Sequence, residues 1–246
     1  MKVHAMALAV FVESSFIQPA GAEPAASDPI PVSLHRTLYP FHPGAVIGLK
    51  GLYALPFGTF GTSPAGTVAM QDIAGPPFIA ELEVGYQTTP KLFLGGHLGM
   101  GFAAPGTAAK RECSREGLSC HLSLVDFGVD AEWRFGAARA SPWVGLGVAA
   151  ETQTLSRRAG GFKSDLKSYG LGVRAAFGMD VRVSGGVVVG PVVEYRLGTF
   201  FSTVVESFAT LPGEPIATVG SDADISGGLH QAVAFGLRGR WYAGER

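Results

Sequence analysis

The sequence predicts an all-β protein, an eight-stranded antiparallel up-and-down transmembrane β-barrel. Eight glycine-rich segments alternate between apolar and polar residues, which is the period of a strand with two different faces. The connections between these segments alternate long and short along the whole chain. An even number of antiparallel strands, with short turns at one end and long loops at the other, is the layout of transmembrane barrels.

The strands and their connections are predicted from this alternation and from the Gly, Pro and Ser clusters between them. The predicted strands are Ala45–Leu55, Phe78–Gln87, Lys91–Phe102, Leu122–Phe135, Pro142–Thr152, Ser168–Arg182, Val187–Phe200 and Leu229–Tyr242. The predicted long loops are Pro56–Pro77, Ala103–His121, Gln153–Lys167 and Phe201–Gly228. The predicted short connections are Thr88–Pro90, Gly136–Ser141 and Ser184–Gly186.

The two strand faces indicate which side meets lipid. In the fourth predicted strand, Phe127 and Val129 lie on one face, and Asp126 and Asp130 lie on the other. The polar faces consist mostly of Gly, Ala and charged residues, with few of the Ser, Thr, Asn or Lys residues of a solvated sheet. The apolar faces imply strands of about ten residues, enough for a tilted crossing of the hydrocarbon layer. We therefore predict lipid outside and a polar lumen, although the composition also fits a soluble glycine-rich β-sandwich.

Composition and charge exclude some classes of function. The chain has 35 glycines in 246 residues, and only 16% of its residues are charged. Its formal net charge of −1 gives no electrostatic reason to expect a nucleic-acid partner.

The amino terminus predicts export. Lys2 precedes the apolar segment Ala5–Val12, and Ala20 and Ala22 supply the small residues of a cleavage site. We predict a signal peptide at residues 1–22, a flexible periplasmic leader rich in Pro and Ala at 23–43, and the barrel at 44–246. A mis-assigned start or a disordered tail is the alternative for the first segment.

The two cysteines, Cys113 and Cys120, lie in the second predicted long loop. A disulfide between them would persist in an oxidising compartment. A metal site needs more ligands at suitable spacing, and only His121 is near. We predict a disulfide, no metal site and no cofactor.

Aromatic residues collect at the predicted short-turn end of the strands. Membrane proteins place such residues at the interface between lipid and water. The predicted aromatic girdle consists of Tyr86, Trp133, Phe135, Trp143 and Trp241.

Charged residues recur on the predicted inner face, seven cationic against eight anionic. They are Lys50, Glu81, Glu83, Asp126, Asp130, Glu132, Arg134, Glu151, Arg174, Asp180, Arg182, Glu194, Arg196, Arg238 and Arg240. An eight-stranded barrel is just wide enough to be filled by its own side chains, and unpaired charges there would be costly. The pattern favours a closed, salt-bridged lumen, and the alternative is a narrow ion path that uses the same residues.

One short motif has a catalytic interpretation. His121 and Ser123 lie on the predicted lipid-facing side at the loop end of the fourth strand, and they resemble the His-x-Ser pair of outer-membrane lipid A deacylases. In that family an acidic residue on the outward face supports the pair, whereas Glu132 and Glu151 here fall on the inner face. The glycine-rich run around His97 lacks the context of a phosphate-binding loop. We therefore predict that the chain is not an enzyme and keep a lipid A-modifying esterase as a remote alternative.

From Ala45 to Tyr242 the pattern resembles the small outer-membrane β-barrel superfamily, such as the transmembrane domain of outer-membrane protein A. The family commonly ends on an aromatic residue, and here Trp241 and Tyr242 stand four residues before the terminus. The resemblance implies a place in the bacterial outer membrane with the long loops extracellular. It also implies contact with outer-membrane lipids and with the barrel-insertion machinery. We expect a structural or surface-interaction role whose loop ligand is unknown, with a narrow porin-like channel as the alternative.

Overall fold

Eight long antiparallel strands close into a ring in a computed structural model of the chain. The structure describes residues 43–63, 66–136, 139–160, 162–211, 214–222 and 226–243. The predicted signal peptide and all but the last residue of the predicted leader lie outside these residues. The barrel strands are β1 (Gly44–Ser63), β3 (Phe78–Gln87), β4 (Leu92–Ala103), β5 (Ser119–Arg134), β6 (Ala140–Ala159), β7 (Phe162–Ser184), β8 (Val187–Leu211) and β11 (Leu229–Tyr242). The remaining elements are β2 (Gly66–Ala69), α1 (Met70–Ile73), α2 (Thr107–Glu116), β9 (Glu214–Asp222) and β10 (Ser226–Gly227).

Each barrel strand pairs with its neighbour in the sequence of barrel strands, and the last pairs with the first. Lys50 of β1 lies opposite Glu81 of β3 on one side and opposite Arg238 of β11 on the other, so β1 closes the ring. The predicted fold, an eight-stranded antiparallel up-and-down barrel, is confirmed by this topology. Closure leaves no unpaired strand edge in the barrel wall.

Tight connections join strands at one end of the barrel. Residues 88–91 link β3 to β4, and the Thr88 N–H donates to the Leu92 carbonyl at 2.9 Å. A two-residue turn, Gly185–Gly186, links β7 to β8, and Gly186 has a φ of 74°, which glycine adopts without strain. We call this end of the barrel the short-turn end.

At the other end the predicted long loops are largely wrong, because the strands continue. β6 and β7 remain paired from Thr152 and Tyr169 out to Ala159 and Phe162, where the hairpin turns. β8 extends beyond Phe200 to Leu211, and β9 folds back onto it. We call the extended parts of the β6–β7 and β8–β9 pairs, beyond Thr152 and Phe200, the projecting hairpins. Polar residues such as Gln153, Thr154 and Glu206 interrupt both faces of these extensions, so they lack the regular apolar alternation that identified the other strands.

Two short helices lie over this second end of the barrel. Thr107 Oγ1 of α2 donates to Asp72 Oδ1 of α1 at 2.8 Å, which joins the helices. α2 is capped at its carboxyl end by Gly117, whose φ of 66° is left-handed, and the disulfide between Cys113 and Cys120 ties α2 to β5. Within the described residues, no helix is long and apolar enough to cross a membrane.

The barrel wall is apolar on the outside. Outward side chains such as Leu49, Phe127, Leu146 and Leu237 are between 62% and 71% exposed. Charged side chains on the inner face of the wall, such as Lys50, Asp126 and Arg238, are buried. This distribution is the reverse of a water-soluble domain, in which charged side chains are almost never fully buried.

Candidate functional site

The lumen is filled by charged side chains arranged in two adjoining groups. The group nearer the short-turn end, called the lower belt, consists of Glu83, Glu132, Arg134, Asp180, Arg238 and Arg240. The second group, called the upper belt, consists of Lys50, Glu81, His97, Asp126, Asp130, Arg174, Glu194 and Arg196. Lys50 Nζ lies 2.7 Å from Glu83 Oε1 and so links the belts.

Glu132 is the hub of the lower belt. Arg240 donates from Nη1 and Nη2 to its two carboxylate oxygens, each at 2.6 Å. Arg238 donates from Nη1 to the same two oxygens at 2.8 and 3.0 Å, and binds Asp180 with Nε and Nη2, both at 2.9 Å. Paired contacts of this kind are the strongest that guanidinium and carboxylate groups make. Arg240 also donates a hydrogen bond from Nε to Glu83 Oε2 at 2.8 Å, so its guanidinium group binds two carboxylates.

Arginines of the lower belt also lie over aromatic rings. The guanidinium carbon of Arg238 is 3.4 Å from the ring centre of Trp143, and that of Arg240 is 4.1 Å from the ring centre of Phe93. Cations are attracted to the faces of such rings, and desolvation strengthens the attraction. The rings therefore contact guanidinium groups whose N–H donors are already paired with carboxylates.

In the upper belt, cationic side chains bridge carboxylates from several strands. Arg174 donates from Nη1 to Glu81 Oε2 at 2.7 Å and from Nε to Asp130 Oδ1 at 2.6 Å. Arg196 donates to Asp126 Oδ2 at 2.7 Å and to Glu81 Oε2 at 3.1 Å. Because each cation meets at least two anions, the belt joins opposite walls of the barrel.

Three residues of the upper belt, Glu81, His97 and Asp126, bring potential metal ligands within 4.8 Å of one another. The two Glu81 oxygens already accept hydrogen bonds from Lys50, Arg174 and Arg196. A divalent cation would therefore meet cationic side chains at this place, and the arrangement is suited to ion pairing rather than to metal binding.

All fifteen charged residues predicted for the lumen face inward or lie at its margins. Arg182 is half-buried near the short-turn end, and Glu151 lies above the upper belt, where its Oε1 is 2.6 Å from His230 Nε2. The alternation of faces along a strand predicts that a side chain lies on the inner face, but it does not predict which residue that side chain binds.

Of the five predicted girdle residues, four are on the outer wall and one is not. Tyr86, Trp133, Phe135 and Trp241 are about half exposed at the short-turn end. Trp143 is wrong for a girdle, since it is only 1% exposed and lies inside the barrel. Trp143 is an even number of positions away from Gly145, Gly147 and Glu151 on β6, so it lies on the same inner face as they do. This signal was available in the sequence.

An apolar cluster closes the lumen at the end opposite the short turns. We call it the plug, and its buried members are Phe60, Met70, Ala74, Ala109, Leu122, Leu155 and Phe200. Met70 comes from α1 and Ala109 from α2, so both helices contribute to it. At the short-turn end, Val46, Phe93, Val188 and Tyr242 form a second buried apolar cluster.

His121 and Ser123, the pair with a catalytic interpretation, do not form a nucleophile–base hydrogen bond in the structure. His121 Nε2 lies 3.2 Å from Ser119 Oγ, a different serine from Ser123. The residues in register with His121 and Ser123 on β4 and β6 carry no carboxylate: they are Phe102, Thr154 and Ser156. Glu132 and Glu151 are in the lumen, so neither supports a nucleophile on the outer wall.

The ion pair between Lys167 of β7 and Glu206 of β8 differs from those of the lumen, because its two side chains are 28% and 32% exposed. Lys167 Nζ donates to Glu206 Oε2 at 2.7 Å, and this hydrogen bond raises the pKa of Lys167. Burial alone would raise the pKa of Asp165, but hydrogen bonds from Lys163 and Ser156 outweigh it and hold that pKa below its ordinary value. A solvent-screened pair such as Lys167–Glu206 contributes little stability.

No protein-family model matches the chain, and no curated protein matches it in sequence. Several solved structures are similar to it. Neisserial surface protein A is 16% identical, with a TM-score of 0.44 over 80% of this chain and 98% of the other. A major outer membrane protein of Thermus thermophilus is 13% identical, with a TM-score of 0.49 over 80% and 99%. The outer membrane protein OprG of Pseudomonas aeruginosa is 12% identical, with a TM-score of 0.42 over 81% and 97%. These similarities concern the fold alone.

Proposed function

We propose that the chain is an integral protein of the bacterial outer membrane, a closed barrel that acts as a structural or surface-interaction scaffold. One observation carries this proposal: the barrel is apolar where it is exposed and charged where it is buried. In water, exposing the apolar side chains and burying the charged ones would both be unfavourable. In a membrane, lipid surrounds the apolar exterior and the charged side chains stay away from it.

The size of the apolar band supports a membrane crossing. On β1 the outward residues from Ala45 to Leu55 span about ten residue steps, or about 34 Å along the strand. At a strand tilt of about 40° this corresponds to a height of about 26 Å, close to the roughly 25 Å apolar band of outer-membrane barrels.

The contents of the lumen support a closed scaffold rather than a porin-like channel. Cations and anions of both belts are directly paired across the barrel axis, and an apolar cluster lies at each end. An ion entering this space would have to break buried ion pairs, which costs several kcal/mol.

The proposed orientation places the short-turn end in the periplasm and the projecting hairpins with α1 and α2 outside the cell. Transmembrane barrels have short periplasmic turns and longer extracellular connections, which supports this choice. The Cys113–Cys120 disulfide supports export to an oxidising compartment. The partners proposed are outer-membrane lipids and, during biogenesis, the insertion machinery. The extended hairpins supply the surface for interaction, and the role proposed for them is binding rather than catalysis.

Two measurements on the purified chain test the proposal. Folded in detergent, the protein should migrate differently on a gel before and after boiling, because the closed barrel resists unfolding by detergent. In planar bilayers it should show no steady unit openings. Protein that stays soluble without detergent would refute the membrane assignment. Steady openings that neutralisation of Arg174 abolishes would refute the closed lumen and establish the channel.

A further inference from the structure

Two adjoining cavities lie in the lumen between the upper belt and the plug. The smaller has a volume of about 30 Å³ and touches His97, Asp126 and Arg196. The larger has a volume of about 60 Å³ and extends to Gln153 and to plug residues. Glu151, Arg196 and His230 line both cavities, so we treat them as one chamber.

Polar atoms that lack a hydrogen-bond partner within the described protein face this chamber. The Gln153 side chain is among them: the residue is 2% exposed, and neither its Oε1 nor its Nε2 has a partner. His230 Nδ1 is also without one. Asp126 Oδ1 and His97 Nε2 are 3.6 Å apart, which is too long for a hydrogen bond between them. A buried polar atom without a partner is costly, and such atoms in native proteins are commonly satisfied by ordered water.

The chamber has the size and chemistry that ordered water requires. A buried water needs roughly 10–15 Å³ of such volume and two to four polar partners. The smaller cavity has room for about two waters and the larger for about four on this measure. The larger cavity is lined by the polar residues Glu151, Gln153 and His230, and also by apolar residues such as Ile79 and Leu124.

We propose that the chamber is a binding site for a small cluster of ordered water molecules, which bridges Gln153 and His230 to the Asp126–His97 pair. The amide of Gln153 offers both a donor and an acceptor, and the Asp126 carboxylate offers an acceptor, so a ligand that both donates and accepts is required. Water has this property, an apolar solute does not, and a divalent cation would meet the Arg174 and Arg196 guanidinium groups. The inference goes beyond the proposed function, because it holds for a closed and for a conducting barrel.

The hydrated site is in contact with the plug. The His230 ring stacks on Phe200 with 4.2 Å between ring centres, and Phe200 packs against Phe60 within the plug. The plug therefore borders the chamber on one side, and the upper belt borders the chamber on the other.

Water-detected NMR on the full chain, refolded in detergent micelles, tests the site. Cross-peaks from long-lived bound water are expected at the Gln153 side-chain amide and at the His230 ring protons. The backbone amide of Leu155, which is paired with Leu166 in the sheet and lies within the plug, should show none and serves as the control. Absence of the Gln153 cross-peaks would overturn the proposal.

A cavity-filling variant locates the water. Ala232 lines the larger cavity and not the smaller one, so Ala232→Leu should remove the water cross-peaks of Gln153. Persistence of the Gln153 cross-peaks in this variant would show that the water lies elsewhere.

A second variant gives a readout that does not depend on Ala232→Leu folding. In a hydrated chamber, Gln153→Leu removes water-mediated hydrogen bonds and should leave the denaturation midpoint unchanged or lower it. In a dry chamber, the same change removes two unsatisfied polar atoms and should raise the midpoint. A raised midpoint would therefore contradict the proposal.

Discussion

Replacing Glu132 with glutamine should lower the free energy of unfolding of the barrel. The loss should be larger than for the same substitution in a solvent-exposed ion pair. Glu132 is 3% exposed and accepts four hydrogen bonds from Arg238 and Arg240. The variant keeps the shape of the side chain, but it loses the negative charge and directs an NH₂ donor at two guanidinium groups.

The size of the effect follows from these contacts. Removing one partner of a buried ion pair costs about 3–5 kcal/mol, because the other charge stays buried. Asp180 and Glu83 still bind the two arginines after the change. We therefore expect the lower part of the range, about 3 kcal/mol, or roughly a hundredfold in the unfolding equilibrium constant.

The assay is urea unfolding of the barrel in phospholipid vesicles, followed by tryptophan fluorescence and by gel mobility without boiling. Glu112→Gln is the matched control, since Glu112 forms a comparable pair with Arg157 at 3.2 Å but is solvent-exposed. This control should cost at most about 1 kcal/mol. Equal effects of the two substitutions would refute the reasoning that the lumen charges are buried and paired.

Two further predictions concern the disulfide that ties α2 to β5 and two glycines of the barrel wall. Reducing the bond between Cys113 and Cys120 should release α2 to trypsin while the barrel stays folded, because the bond closes only a short loop, worth about 2–3 kcal/mol. Gly147→Ala should destabilise the barrel by about 1–3 kcal/mol, because its new methyl group would collide with the Asp130 carboxylate. Gly172→Ala should be tolerated, since the added carbon would make only ordinary contacts.

The outcomes that contradict these predictions are specific. Loss of the heat-dependent gel shift on reduction would show that the disulfide holds the barrel itself. Equal unfolding midpoints for Gly147→Ala and Gly172→Ala would show that the lumen around Asp130 is looser than its contacts indicate.

The fold was predictable because one rule, the alternation of apolar and polar residues, predicts both where the strands are and which face of each strand is apolar. Leu49 and Lys50 are adjacent in the sequence, and their opposite polarity is sufficient to place one outside and one inside. The same rule places Trp143 inside with Glu151, and its placement in the girdle was wrong because it rested on height along the barrel alone. The projecting hairpins were missed because the rule detects a strand by one continuous apolar face, and polar residues interrupt both faces beyond Thr152 and Phe200.

The pairing of the lumen charges was not predictable from the sequence. Lys50 binds Glu194, a residue two strands away around the barrel, as well as its direct neighbour Glu81. Which partners meet across the axis depends on strand tilt and stagger, and these are properties of the closed ring. Arg240 and Phe93 likewise meet only once the ring has closed.

The most direct test of the account uses the three tryptophans as reporters of which face meets lipid. Trp133 and Trp143 lie on paired strands at adjacent positions, so they have nearly the same height in the barrel, but one faces out and one faces in. In single-tryptophan variants, vesicle lipids brominated near the headgroup should quench Trp133 and Trp241 strongly and leave most of the Trp143 emission. Quenching of Trp143 to the same extent as Trp133 would contradict an apolar exterior in lipid and a closed, charged interior.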